Sequence, residues 1–200
     1  MDHKILLALI KKKVKDEDTI WLLEEIIESF AMNQDKGIPL GNLTSQLFAN
    51  IYLNELDQFV KHELKIKYYA RYTDDFVILS SSKEYLKNLI NPISNFLRKN
   101  LSLELHPNKI QIKKLKQGID FLGYVVLPYY KSIRTKTKNR MIKKLEKLKW
   151  EYMNHKISKQ GINQSLQSYL GCLTHSNSFA ISQKLERRFS KNNLDKIENS

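Results

Sequence analysis

Tyr68-Tyr69-Ala70-Arg71-Tyr72-Thr73-Asp74-Asp75-Phe76-Val77-Ile78-Leu79 is the stretch around which the chain organises. Tyr68 to Thr73 is rich in β-formers and Phe76 to Leu79 is a short apolar run, so the two halves read as strands. Asp74 and Asp75 fall between them, and the simplest geometry is a hairpin with two adjacent carboxylates at its tight turn. Adjacent carboxylates repel, and a fold that holds them together commonly offsets the repulsion with a cation. Oxygen-only ligands suit Mg²⁺, which takes one or two carboxylates and completes its shell with substrate phosphates. Taken alone, Asp-Asp is also ordinary chemistry for a solvated turn, so the flanking sequence decides.

Upstream, Leu6, Ile10 and Val14 recur at helical spacing in a helix over Met1–Val14. Asp16-Glu17-Asp18 marks a second helix start, with Leu22, Leu23, Ile26, Ile27 and Phe30 on one face. Met32–Leu43 is a loop punctuated by Gly37, Pro39, Gly41 and Asn42. A long helix over Thr44–Leu64 follows, capped by Asn42 or Thr44, with Phe48, Ile51, Tyr52, Leu56, Phe59 and Val60 as its apolar stripe. A glycine-bearing loop that feeds a helix N-terminus suits anions, although a plain loop-to-helix junction is the commoner case.

Downstream, Ser81 or Ser82 caps a helix that runs to about Lys99, with Leu86, Leu89, Ile90, Ile93 and Leu97 inward. Leu103/Leu105 and Ile110/Ile112 are two short strand patterns split by His106-Pro107-Asn108. Gly118 turns the chain into a strand over Ile119–Leu127. Past Pro128 the pattern becomes helical and basic, with helices at about Thr135–Asn154, Ser158–His175 and Ser178–Asn192. The order of elements predicts an α+β fold: an antiparallel sheet with helices on one face, then a helical extension. A domain junction is expected near Pro128–Lys131, giving domains of residues 1–129 and 130–200.

Composition agrees with a globular chain whose partner is anionic. The net charge is +13, and residues 131–200 carry 16 Lys/Arg against 5 Asp/Glu. That leaves only +2 on residues 1–130. A basic C-terminal third points to a polyanion, with nucleic acid first and an anionic membrane surface as the rival. One cysteine, Cys172, rules out a disulfide framework and reads as a small buried apolar residue. The longest apolar run near the N-terminus, Ile5–Ile10, is too short for a signal core or a membrane span. A cytoplasmic protein without membrane association is the default expectation.

Four blocks now stand in one order: Gly37-Ile38-Pro39-Leu40-Gly41-Asn42-Leu43-Thr44-Ser45-Gln46, Tyr72-Thr73-Asp74-Asp75, Leu105-His106-Pro107-Asn108-Lys109 and Phe121-Leu122-Gly123-Tyr124. In this order and spacing they resemble the reverse transcriptases. The Ser45-Gln46 variant, within Gly-Asn-Leu-Thr-Ser-Gln, is most similar to reverse transcriptases of diversity-generating retroelements. Related bacterial enzymes share that block.

The resemblance implies an RNA-directed DNA polymerase with a partial palm followed by a helical thumb. Its partners would be an RNA template, a DNA primer and dNTPs, with a small basic accessory protein in that subfamily. Its cofactor would be Mg²⁺, or Mn²⁺ in its place. Asp74 and Asp75 would be the catalytic metal ligands. Lys109 would sit near the triphosphate, although a solvated turn lysine fits equally well. Leu40, Gly41, Ser45, Gln46 and Tyr72 would line the nucleotide and template site, and Leu122, Gly123 and Tyr124 would grip the primer. At Gly123 a close backbone approach and a simple bulge are both open readings. Arg71 is a phosphate contact or, more commonly, a surface strand arginine. His3 and His106 read as capping or turn residues.

The family's third carboxylate lies upstream, in a pattern such as Asp-Ile-x-x-Phe-Phe-x-Ser-Ile-Asp-His. Asp2-His3 is similar to its last two residues, which implies an N-terminally truncated member without fingers or first catalytic strand. The alternatives are a non-catalytic nucleic-acid-binding remnant and a palm fragment that needs another chain.

Overall fold

The computed structural model describes residues 1–29, 36–37 and 43–189. The chain divides into two compact units, Met1–Ile112 and Lys113–Ser200. Both mix helices with a small antiparallel sheet, so the fold class is α+β.

The first unit opens with α1 (His3–Lys11) and α2 (Glu17–Glu28). Each is capped by an aspartate placed where the orphan amides of a helix N-terminus need an acceptor. Asp2 accepts from the Ile5 amide at 3.2 Å, and Asp16 from the Thr19 amide at 2.7 Å. Next comes α3 (Leu43–Gln58), which widens into a single π turn over Phe59–Glu63. The predicted stripe is the buried one: Phe48, Tyr52, Leu56 and Val60 are at most 1 % exposed. Then follow β1 (Tyr69–Tyr72), β2 (Asp75–Ile78) and α4 (Lys83–Leu101). Ser82 is the cap of α4, accepting from the Tyr85 amide at 3.1 Å. Leu89, Ile93, Leu97 and Leu101 of α4 close the core over α3 and Leu6, Leu9 and Ile10 of α1.

One hydroxyl ties three of these elements together. Tyr52 Oη accepts from the Asp2 amide at 3.2 Å and donates to the Leu101 carbonyl at 2.6 Å. A buried phenol needs such partners to avoid the cost of an unmet polar group.

Two sequence expectations fail in this unit. Leu103/Leu105 and Ile110/Ile112 form no strands. Pro107–Lys109 is a short 3₁₀ turn, and Leu103 and Leu105 pack half-buried against the core. Alternating leucines therefore mark an extended segment that covers the core without a ladder partner.

The second unit holds β3 (Ile119–Phe121), β4 (Tyr124–Val126) and β5 (Lys131–Ile133), then α5 (Thr135–Met153), α6 (Lys159–Thr174) and α7 (Phe179–Phe189). The predicted single strand over Ile119–Leu127 is instead a hairpin, with Phe121 paired to Tyr124 across the two-residue loop Leu122-Gly123. Both loop residues have positive φ, 53° and 82°. That is the combination of a type I′ turn, whose twist matches the flanking strands. Gly123 is thus a turn residue rather than a strand bulge. Two small sheets replace the one expected, and the change of composition near Pro128–Lys131 falls inside the second unit.

Met141, Leu145, Leu166, Leu173, Leu185 and Phe189 form the main core of this unit. Cys172 is exposed on α6. It follows the periodicity one position out of phase with buried Leu173, so its apolar character does not decide its place.

Candidate functional site

The hairpin of β1 and β2 pairs Tyr69 with Ile78, Ala70 with Val77, Arg71 with Phe76 and Tyr72 with Asp75. Thr73 and Asp74 are the two loop residues, and Asp75 opens β2. Alternation puts Tyr69, Arg71, Phe76 and Ile78 on the inner face and Tyr72 and Asp75 together on the outer one. Tyr72, Asp74 and Asp75 are all exposed. The two carboxylates therefore sit at the solvent tip of a hairpin, with an exposed phenol beside them.

Thr73 takes φ 52°. A β-branched residue in the left-handed region is an outlier that costs on the order of 1–3 kcal/mol. Positive φ at the first loop residue only is the signature of a type II′ turn, a position usually given to glycine. Thr73 Oγ1 donates to the Tyr72 carbonyl at 2.7 Å and contacts Asp74 Oδ1 at 3.0 Å.

Behind the tip lies a network that reasoning from the sequence missed. Arg71 grips Asp57 of α3 with two parallel bonds, Nε to Oδ1 at 2.8 Å and Nη2 to Oδ2 at 2.6 Å. Tyr69 Oη donates to the same Oδ1 at 2.7 Å. The remaining nitrogen of Arg71, Nη1, donates to the Thr73 carbonyl at 2.8 Å. The Arg71 side chain is only 10 % exposed, so it is not a free phosphate contact. Desolvation pushes the Asp57 carboxyl up, and the bonds from Arg71 and Tyr69 more than offset it, leaving it below the ordinary carboxylate value. Burial, reinforced by Asp57, holds the Tyr69 phenol well above its usual range. A signal for this pairing was present. The strand period puts Arg71 on the inward face with Tyr69, and an inward charge calls for a carboxylate partner.

The other expected residues fall as follows. Ser45 is buried and Gln46 exposed in the first turn of α3. Lys109 is exposed at the end of the 3₁₀ turn, its amide bonded to the His106 carbonyl at 2.9 Å. Gln46 and Lys109 belong to the same unit as the hairpin, but neither bonds to it among the described residues. Leu40 and Gly41 lie outside the described residues. Two carboxylates with open solvent access match what Mg²⁺ takes from a protein when substrate phosphates complete its shell. Among the described residues no group of three His, Cys, Asp or Glu side chains comes together.

In the second unit, the Leu122-Gly123 turn is held from below. The Arg134 amide donates to the Gly123 carbonyl at 3.0 Å, and Arg134 Nε to Asp120 Oδ1 at 2.8 Å. Tyr124 donates to the Cys172 carbonyl at 3.0 Å, with Lys131 over its ring at 5.6 Å. Leu122 projects 44 % exposed. On α5, Lys136, Arg140, Lys143 and Lys147 are exposed and recur along one helical face, opposite buried Met141, Leu145 and Leu148. By sequence, Met1–Ile112 carries 15 basic and 15 acidic residues, and Lys113–Ser200 carries 19 and 6. The whole excess of +13 lies in the second unit. No described helix is long and apolar enough to cross a membrane.

Residues 4–126 match the family model of reverse transcriptase (RNA-dependent DNA polymerase). Similar curated proteins include the COX1/OXI3 intron 2 protein of Saccharomyces cerevisiae, 25 % identical over 62 % of this chain and 22 % of that protein. The group II intron-encoded protein LtrA of Lactococcus lactis subsp. cremoris is 26 % identical over 62 % of this chain and 32 % of its own length. Protein YkfC of Escherichia coli is 24 % identical over 61 % and 42 % respectively. The chain thus spans less than half the length of each of these relatives.

Proposed function

The chain belongs to the reverse transcriptase (RNA-dependent DNA polymerase) family, and from that premise we propose that it carries palm and thumb elements of an RNA-directed DNA polymerase. The observation that carries this reading is the Asp74-Asp75 tip of the β1–β2 hairpin, inside the matched residues. Asp74 and Asp75 would hold Mg²⁺, or Mn²⁺ in its place, and the bound cation would supply charge stabilisation for the phosphoryl transfer of dNTP addition. Tyr72, on the same face as Asp75, lines the nucleotide site with Leu40, Gly41, Ser45 and Gln46. Lys109 neutralises triphosphate charge. Leu122, Gly123 and Tyr124 present the exposed turn that steadies the primer. The α5 stripe takes the duplex backbone through charge and shape, without reading bases. Residues 1–129 serve as palm and 130–200 as thumb, and the end of the family match at residue 126 supports that division.

The test is RNA-templated primer extension with dNTPs and Mg²⁺ or Mn²⁺. By itself the 200-residue chain is expected to extend a primer weakly or not at all, because two carboxylates rather than three converge among the described residues. Adding a polypeptide that bears the family's third Asp restores synthesis, and Asp74→Asn then lowers it by about a hundredfold. Synthesis indifferent to Asp74→Asn overturns the assignment. The Ser45-Gln46 block supports the diversity-generating subtype, with a small basic accessory protein as partner. That subtype predicts errors concentrated at template adenines when the products are sequenced. A second reading, a nucleic-acid-binding module without catalysis, is favoured by the confinement of the charge to the second unit. It predicts duplex binding that survives loss of both aspartates.

A further inference from the structure

We propose that Arg71 and Asp57 form a brace that keeps Thr73 in its left-handed conformation and so aims Asp74 and Asp75, making them positioning residues for the cation site. The aiming rests on the reading of Asp74 and Asp75 as metal ligands. The hold on Thr73 does not.

Three observations converge. Thr73 occupies φ 52°, where a β-branched residue persists only if its surroundings over-determine it. Arg71 Nη1 holds the Thr73 carbonyl at 2.8 Å, fixing the peptide between Thr73 and Asp74. Arg71 itself cannot swing away. Two bonds, at 2.8 and 2.6 Å, lock the guanidinium plane to Asp57 on α3, and Tyr69 Oη holds the Asp57 carboxylate at 2.7 Å, while Nη1 also donates to Asn50 Oδ1 of α3 at 3.4 Å. A lysine could not replace it, because one ammonium cannot make the paired contact to Asp57 and still reach the turn.

The carboxylates have little else to orient them. Among the described residues Asp74 contacts only Thr73 Oγ1 through its side chain, and the Asp75 side chain accepts no hydrogen bond. Their direction is inherited from the backbone of the turn, and α3 sets that backbone through Asp57 and Arg71. A glycine at position 73 would take positive φ freely. The sequence instead places threonine there and braces it from behind.

The experiment uses the isotope-labelled 200-residue chain. Backbone couplings and shifts report the φ of residue 73, and Mn²⁺ alone, read by paramagnetic broadening of amides 72–76, reports cation binding. In the wild type, Thr73 keeps positive φ and Mn²⁺ broadens the tip. Arg71→Ala and Asp57→Asn are expected to shift Thr73 toward negative φ and weaken Mn²⁺ binding about tenfold. Asp57→Asn guards against global unfolding, since it preserves shape. Adding Thr73→Gly to Arg71→Ala restores the turn and most of the Mn²⁺ affinity, a rescue that a general stability role would not give. Positive φ retained at Thr73 in both single variants overturns the brace. If Thr73 shifts but Mn²⁺ never broadens the wild-type tip, the brace on the turn stands, and both its aiming role and the metal-site reading fall.

Discussion

At the scale of single residues, two side chains link elements distant in sequence, and each makes a measurable statement. Asp57 titrates below the ordinary carboxylate value because the Arg71 and Tyr69 bonds outweigh its desolvation. A carboxyl with a depressed folded pKa adds stability above its unfolded pKa of about 3.9 and loses it as pH falls through the lower folded value. The wild type should therefore lose stability in that acid window. Asp57→Asn should flatten that part of the profile in urea melts between pH 3 and 7. Because the pair is partly open to solvent, the pH-dependent part is no more than about 1 kcal/mol. Tyr52 differs in kind, since it is fully buried and bonded on both sides. Tyr52→Phe leaves the Leu101 carbonyl and the Asp2 amide without their partner and should cost about 1–3 kcal/mol, measured by equilibrium denaturation at pH 7.

At the scale of elements, the two hairpins with two-residue loops solve one problem with different residues. The β3–β4 turn uses Leu122 and Gly123, both at positive φ, and the β1–β2 turn uses a braced threonine. Glycine is required to different degrees. A Cβ at Gly123 would meet nothing within 4 Å, so Gly123→Ala should cost only the left-handed penalty of about 1–2 kcal/mol. At Gly118, φ is 81° and a Cβ would lie 2.5 Å from Val125 Cγ1. Gly118→Ala combines strain with overpacking and should cost about 2–4 kcal/mol. Chemical denaturation of the two variants side by side checks the order, and equal losses would contradict it. Helix caps, by contrast, were readable in advance. Asp16 and Ser82 stand where local acceptors are needed, and both accept the expected amides.

At the scale of the molecule, charge is segregated. The first unit is neutral by sequence and the second carries +13. Duplex affinity should therefore fall steeply with salt, with a slope of about −0.9 per phosphate neutralised. Changing Lys136, Arg140, Lys143 and Lys147 to glutamine should flatten that slope by about 3–4 in a salt titration, and Asp74→Asn with Asp75→Asn should leave it unchanged. A slope unaffected by the α5 changes would move the nucleic-acid surface elsewhere.

Local sequence determined the helices, the caps at Asp16 and Ser82, the buried stripe of α3 and the presence of a hairpin at Asp74-Asp75. Each follows from the spacing of apolar residues or from the needs of a helix end, which neighbours in sequence satisfy. Tertiary structure alone decided what lies across from them. Leu103 and Leu105 alternate like a strand but found a core rather than a ladder. Ile119–Leu127 reads as continuous β, yet a two-residue loop folds it on itself. Arg71 faces inward by its period, but that its partner is Asp57, 14 residues back on α3, emerges only when helix and hairpin pack. Periodicity encodes which face of an element seeks cover, and the packing of other elements supplies the cover and, at this hairpin, the hold on the turn.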